Sequence, residues 1–145
     1  MNAVRGCEFP LDLFYNVENN VWVRQETGGL FVVGMTAYGL SLSGQIVSFT
    51  PKRSGKQVQQ NKSCATVESG KWVGPVKAPV SGEIAAVNQQ ALQQPSLIND
   101  DPYGEGWLVK IKAQDWDNES RILLTGNAAM DVFESKMDAE GFGGC

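Results

Sequence analysis

The chain has no histidine among its 145 residues. That absence removes the commonest general base, the commonest transition-metal ligand and every nucleophile system built on a serine–histidine or cysteine–histidine pair. No run of apolar residues is long enough to serve as a membrane span. The first twenty residues (MNAVRGCEFPLDLFYNVENN) lack the charged start, apolar stretch and small-residue cleavage site of a secretory signal, so a soluble, cytoplasmic protein without a membrane partner is expected. Basic residues are scattered apart from Lys52, Arg53 and Lys56, and 12 Lys and Arg against 16 Asp and Glu give a net charge of -4. No field gathers phosphates, so nucleic acid is not an expected partner. Cysteine is also sparse: Cys7, Cys64 and Cys145 are odd in number and far apart, with no Cys-x-x-Cys pair. This pattern predicts three free thiols instead of a disulfide framework or a zinc site. Gly141, Gly143 and Gly144 would leave Cys145 on a loose tail.

What is present is a chain of one-domain length, large enough to bury its own core. Its middle is punctuated by glycine and proline and filled with short β-branched runs, the pattern of antiparallel strands joined by tight turns, with helix confined to the edges. Val21-Trp22-Val23-Arg24 and Leu30-Phe31-Val32-Val33-Gly34 flank Glu26-Thr27-Gly28-Gly29 and read as a hairpin. Further strands are expected over residues 44–49, 57–58, 64–68, 76–78, 82–87 and 107–112, with a helical turn or two at Tyr38 to Ser43. Residues 89–106 contain Pro95, Asn99, Asp100, Asp101, Pro102 and Gly104, which predicts a loop with at most a helical turn at Gln90 to Gln94. Beyond Lys112, Met130, Phe133 and Met137 recur at helical spacing, with Thr125 or Asn127 available as N-cap, and predict an amphipathic helix over about 125–142 packed on the sheet. Ser43-Gly44-Gln45-Ile46-Val47 recurs as Ser81-Gly82-Glu83-Ile84-Ala85, an echo implying two half-domains of similar strand plan. The fold class is therefore mainly β, a flattened antiparallel sandwich or barrel with short helices and a C-terminal helix.

Between two of these strands lies Ser69-Gly70-Lys71-Trp72-Val73-Gly74-Pro75. Glycine and proline around one lysine place Lys71 at or near a turn with its amine in solvent, and its chemistry by itself says no more than a solvated surface lysine.

Val67-Glu68-Ser69-Gly70-Lys71, followed by Pro79-Val80-Ser81-Gly82-Glu83-Ile84 and Val87-Asn88, resembles the lipoyl-lysine hairpin of the glycine cleavage system H proteins. Pro95-Ser96-Leu97-Ile98-Asn99, the stretch Asp101 to Ile111, and the segments Trp22 to Arg24 and Val33 to Thr36 resemble that family as well, over about Asn20 to Lys112. The resemblance implies a single lipoyl-carrier domain of the barrel-sandwich hybrid type (1–145, core about 17–112). It also implies covalent lipoate on Lys71 and no catalytic activity of the chain itself. Glu68, Ser69 and Gly70 would be the surface read by a lipoate ligase or other lipoylating enzyme, with Trp72 and Val73 beside it. Family members commonly have a His-Glu pair before the first Trp, where this chain has Asn20 and Val21, and they place the lysine between valine and alanine, not between Gly70 and Trp72. The Gly-Lys-Trp-Val-Gly-Pro tip and the opening Val4 to Pro10 look more like the H-protein-like lipoate-binding proteins of cytoplasmic sulfur oxidation. A heterodisulfide-reductase-like complex is then the expected client, and the glycine cleavage enzymes the alternative. A biotin carrier is the lesser reading, because those hairpins usually flank the lysine with methionine. An unmodified binding module is the other.

Overall fold

Alternation along the strands builds three layers. The computed structural model describes residues 2–145, with strands β1 (Ala3–Val4), β2 (Cys7–Glu8), β3 (Phe14–Asn16), β4 (Val21–Gln25), β5 (Leu30–Met35), β6 (Ile46–Pro51), β7 (Gln57–Val58), β8 (Ser63–Ser69), β9 (Val73–Lys77), β10 (Gly82–Val87), β11 (Val109–Ala113) and β12 (Leu124–Thr125). The helices are α1 (Ala37–Ser43), α2 (Gln89–Gln93), α3 (Ser96–Asp100), α4 (Trp116–Glu119) and α5 (Gly126–Glu140). A seven-stranded antiparallel sheet in the order β12-β3-β4-β5-β11-β10-β7 faces a three-stranded sheet, β6-β8-β9. Side chains of a strand point alternately to its two faces. Val21, Val23, Phe31, Val33 and Met35 accordingly join the core between the sheets with Ile46, Phe49 and Val67. Trp22 and Val32 point the other way, into a second core under α5.

That second core is aromatic. Phe133 of α5 stacks on Phe9 at 4.4 Å between ring centres and meets Tyr15 edge-on at 5.7 Å. Ala129, Phe133 and Met137 are fully buried, so the predicted stripe is core, with Ala129 deeper than the half-buried Met130. Truncating a ring so placed removes its burial and leaves a cavity. Phe133→Ala is expected to cost about 3–5 kcal/mol, read as a lowered urea midpoint.

Three buried or half-buried phenols hold their protons. Burial, with Glu140 accepting the hydroxyl proton, pushes Tyr38 up to about 12. Burial likewise raises Tyr15 and Tyr103, whose hydroxyls donate to Pro10 O and Glu8 O. Unfolded tyrosine titrates near about pH 10, so the folded chain keeps protons that the unfolded chain has lost. Stability is therefore expected to be full below about pH 10 and to fall as pH rises toward 12. Urea titrations at pH 9, 10 and 11 check this.

The structure differs from the sequence reading at four places. Residues 89–106 form two short helices, with Asn88 capping the first through bonds to Gln90 N and Ala91 N, so helix is not confined to the edges. Thr125 precedes α5 without a capping bond from its side chain; its hydroxyl donates instead to Leu13 O at 2.8 Å. Phe14–Asn16 pairs with β4 and carries the sheet upstream of the expected core. Cys7 and Cys145 are joined in a disulfide, and only Cys64 is free. The arrangement that joins them was not visible in the spacing. The turn between β1 and β2 meets the tail after α5 where Cys145 N donates to Arg5 O at 2.9 Å, and Arg5 pairs with Asp138 and donates to Phe142 O. The tail is tied down, not loose.

Candidate functional site

β8 and β9 pair from Ser63↔Lys77, through a one-residue bulge before Ala65↔Val76, to Glu68↔Val73, so the chain reverses at Gly70-Lys71. Ser69 N donates to Trp72 O at 2.8 Å, closing a tight turn. β9 is an edge strand, which is why it accommodates Pro75, a residue unable to donate to a ladder. Lys71, Gly70 and Glu68 are exposed at this tip. Among the described residues, no carboxylate or carbonyl accepts a hydrogen bond from the Lys71 ammonium.

Ser69 faces inward. It is 5% exposed, and its hydroxyl donates to Ser43 O at 2.6 Å, at the end of α1, while accepting from Lys71 N at 3.3 Å. One side chain thus fastens the turn to the neighbouring helix. Gly44 lies beneath the lysine stem: a Cβ there would come 3.0 Å from Lys71 Cε, and its φ of +91° is strained for any other residue. Asn99 holds Gly44 by donating to its carbonyl at 3.1 Å and accepting from Ile46 N at 2.8 Å. Gly44→Ala is expected to destabilise by about 1–3 kcal/mol through that backbone strain and to displace the lysine stem; calorimetric melting checks the first effect and the rate of modification of Lys71 the second. Trp72, 38% exposed, lays its ring across the backbone of Gly74, where a Cβ would come 2.1 Å from the indole.

A cavity of about 240 Å³ opens beside the turn, walled by Trp72, Pro75 and Val76 on one side and by Asn19, Asn20 and Ser43 on the other. No Asp or Glu lines it. The Lys136 ammonium of α5 donates to Asn20 Oδ1 at 3.1 Å and to Val17 O at 2.8 Å, and burial lowers its pKa. An ammonium can only donate, so the Asn20 carbonyl oxygen is held toward Lys136 and its amide N–H₂ is left for the cavity.

Of the residues singled out in the sequence, Glu68, Gly70, Lys71 and Trp72 share the exposed turn, whereas Ser69 is its anchor. Gly44, Asn99 and Lys136 were missed as parts of this site, whereas Asn20 had stood out as a departure from the family's His-Glu pair. The repeated Ser-Gly pair was the one sequence signal for Gly44: Gly44 caps α1 two residues before β6, Gly82 opens β10, and both have positive φ.

A tight turn with an exposed, unengaged amine, at the edge of an antiparallel sandwich, is the geometry of a carrier domain that presents a lysine for modification. The model of the family described as Glycine cleavage H-protein matches residues 13–136. Glycine cleavage system H protein 5 of Aquifex aeolicus is 40% identical, over 97% of each chain. The probable glycine cleavage system H protein 2 of Sulfurisphaera tokodaii is 43% identical, over 97% of this chain and 95% of its own. The crystal structure of a glycine cleavage system H protein from Mycobacterium marinum superposes with a TM-score of 0.73 at 30% identity, covering 86% of this chain and 98% of that one. The chain belongs to the glycine cleavage H-protein family. It is a non-catalytic carrier whose cofactor is lipoate, attached covalently to a lysine. The site fits that group: the exposed amine is uncommitted, and the missing Cβ of Gly44 leaves room for the stem.

Proposed function

We propose that Lys71 is the lysine that bears lipoate, with Glu68, Gly70 and Trp72 forming the surface around it that a lipoylating enzyme reads. The observation that carries this reading is the uncommitted Lys71 amine at a turn anchored by Ser69. A carrier needs a fixed base beneath a long arm, so that its end reaches several active sites in turn. When bound, lipoate supplies a ring disulfide that opens to two thiols and takes up a fragment on one sulfur. The chain's own contribution is to present, orient and shelter that arm. Intact-mass measurement after treatment with a lipoate ligase should show one lipoyl increment, mapped to Lys71 and absent from Lys71→Ala. An increment on Lys77, a biotinyl increment or none overturns the assignment.

The relatives' names favour glycine cleavage, with an aminomethyl fragment as cargo delivered by glycine decarboxylase. One observation favours a second reading, a sulfur-containing cargo exchanged with a heterodisulfide-reductase-like complex. The cavity beside the arm presents the Asn20 N–H₂, backed by the Lys136 cation, and no carboxylate. A protonated aminomethyl group finds no counter-charge there, whereas an oxygenated sulfur group finds a donor. Loading the lipoylated protein with glycine decarboxylase and, separately, with a thiosulfate-oxidising system decides between them. Efficient aminomethyl loading removes the second reading. Asn20→Asp should shift loading toward the aminomethyl group if the second holds.

A further inference from the structure

The Cys7–Cys145 disulfide lies at the far end of the helix that supports the lysine stem. Cys145 Sγ is 3.8 Å from Ala37 O at the start of α1, and Lys71 Cε lies over Gly44 just past its end. Ala37, Leu40, Ser41 and Gly44 recur at helical spacing along one side. A cavity of about 250 Å³ runs along that side, lined by Ala37, Leu40, Ser41, Asn99, Pro102 and Cys145. Asn99 joins its far wall to Gly44. Seven residues of helix span about 10 Å. A lipoylated lysine spans about a dozen bonds from Cα to the nearer ring sulfur, about 14 Å when extended. The two cysteines differ in access: Cys7 is fully buried, whereas Cys145 is an exposed residue and lines the cavity. Cys64, the remaining thiol, is buried, and desolvation pushes it up to about 12, which leaves it unreactive.

We propose that the Cys7–Cys145 disulfide is a second redox centre of the carrier, one that exchanges with the dithiol form of the arm on Lys71 along this cavity. The proposal rests on lipoate being carried at Lys71. A thiolate of the arm attacks Cys145 Sγ, the Cys7–Cys145 bond breaks, and Cys7 leaves and takes up a proton. The second thiol of the arm then displaces Cys145 and closes the ring disulfide. Two electrons and two protons pass from the arm to the cysteine pair; the arm is oxidised, and Cys7 and Cys145 become thiols. Attack falls on Cys145 because it, and not the buried Cys7, lines the cavity.

The test uses the full lipoylated chain, with Lys71 modification verified by intact mass. The arm is reduced with NADH and a catalytic amount of dihydrolipoamide dehydrogenase. Samples are quenched in acid, alkylated after denaturation, and Cys7 and Cys145 labelling is followed by peptide mass spectrometry, with Cys64 as the constant reference of one thiol. Cys7 and Cys145 should label roughly 100-fold faster than when free dihydrolipoamide at the protein's micromolar concentration is added to Lys71→Arg. That ratio is expected of a tethered dithiol at millimolar effective concentration, and the rate should not depend on protein concentration. In Cys7→Ser carrying the oxidised arm, capping the released arm thiol with a maleimide should trap a disulfide between Cys145 and the lipoylated Lys71 peptide. Alkylated arm thiols beside an intact Cys7–Cys145 bond would overturn the proposal, as would a rate that scales with protein concentration. A missing lipoyl increment on Lys71 overturns the carrier assignment and this proposal together, and it is seen before any reductant is added.

Discussion

Lys71→Arg is expected to fold like the parent and to carry nothing. The guanidinium keeps the charge and most of the stem, but it is not an amine that an acyl group can modify under ligase conditions. Lys71 is exposed and makes no side-chain bond among the described residues, so its replacement should change stability by less than about 0.5 kcal/mol, as for other open surface positions. Carrier function, by contrast, should fall to background if Lys71 is, as proposed, the residue that holds the arm. Urea denaturation and a partner-coupled loading assay on the same sample separate the two quantities. The comparison with Ser69→Ala is informative. That variant keeps the lysine but loses the bond to Ser43 O and the acceptor for Lys71 N. It should remain modifiable, lose about 1 kcal/mol and be loaded more slowly, since the base of the arm is no longer fixed.

The second large effect is on stability. The Cys7–Cys145 bond joins residues separated by 138 positions, so it closes nearly the whole chain into a loop. Restricting an unfolded chain of that loop length is worth about 3–5 kcal/mol in the chain-entropy view. Cys145→Ser, or the parent in excess reductant, is expected to unfold at a clearly lower urea concentration than the oxidised parent. The denaturant slope should also rise, because the uncrosslinked unfolded chain exposes more surface. If midpoint and slope are unchanged by reductant, the bond contributes nothing to the folded state. The arm-exchange proposal adds a sharper consequence: the redox state of the arm would set the stability of the protein that carries it.

Much of this molecule was legible in its sequence where the physics is local. The apolar runs Val21 to Arg24 and Leu30 to Gly34 on either side of a glycine-bearing loop read as a hairpin, which they form, and both faces of the pair proved to be core. The turn at Lys71 was legible because glycine and proline punctuate it, and the Phe133 stripe because helical spacing survives in a long element. What was hidden depends on contacts between distant segments. Cys7 and Cys145 meet only because α5 returns the chain to the first strands, which no cysteine spacing reveals. Ser69 reads as surface from its neighbours, yet it faces inward because strand alternation buries it against the end of α1. The polarity of the cavity depends on Lys136, more than a hundred residues from Asn20 and brought to it by the packing of α5. Residues 96–100 were obscured by their breakers: Pro95 sits at the start of that helix, where a missing N–H costs little, and so opens the element it was read as forbidding.

The edge position of β9 bears on how partners dock. An outer strand with a full set of free backbone groups invites another chain to add itself as a further strand. Pro75 removes a donor from that edge, two residues from the exposed Val73 and three from Trp72. If partners meet the chain at this tip, as proposed, recognition is thereby turned toward side chains and away from strand addition, and a partner so held can let go after each delivery.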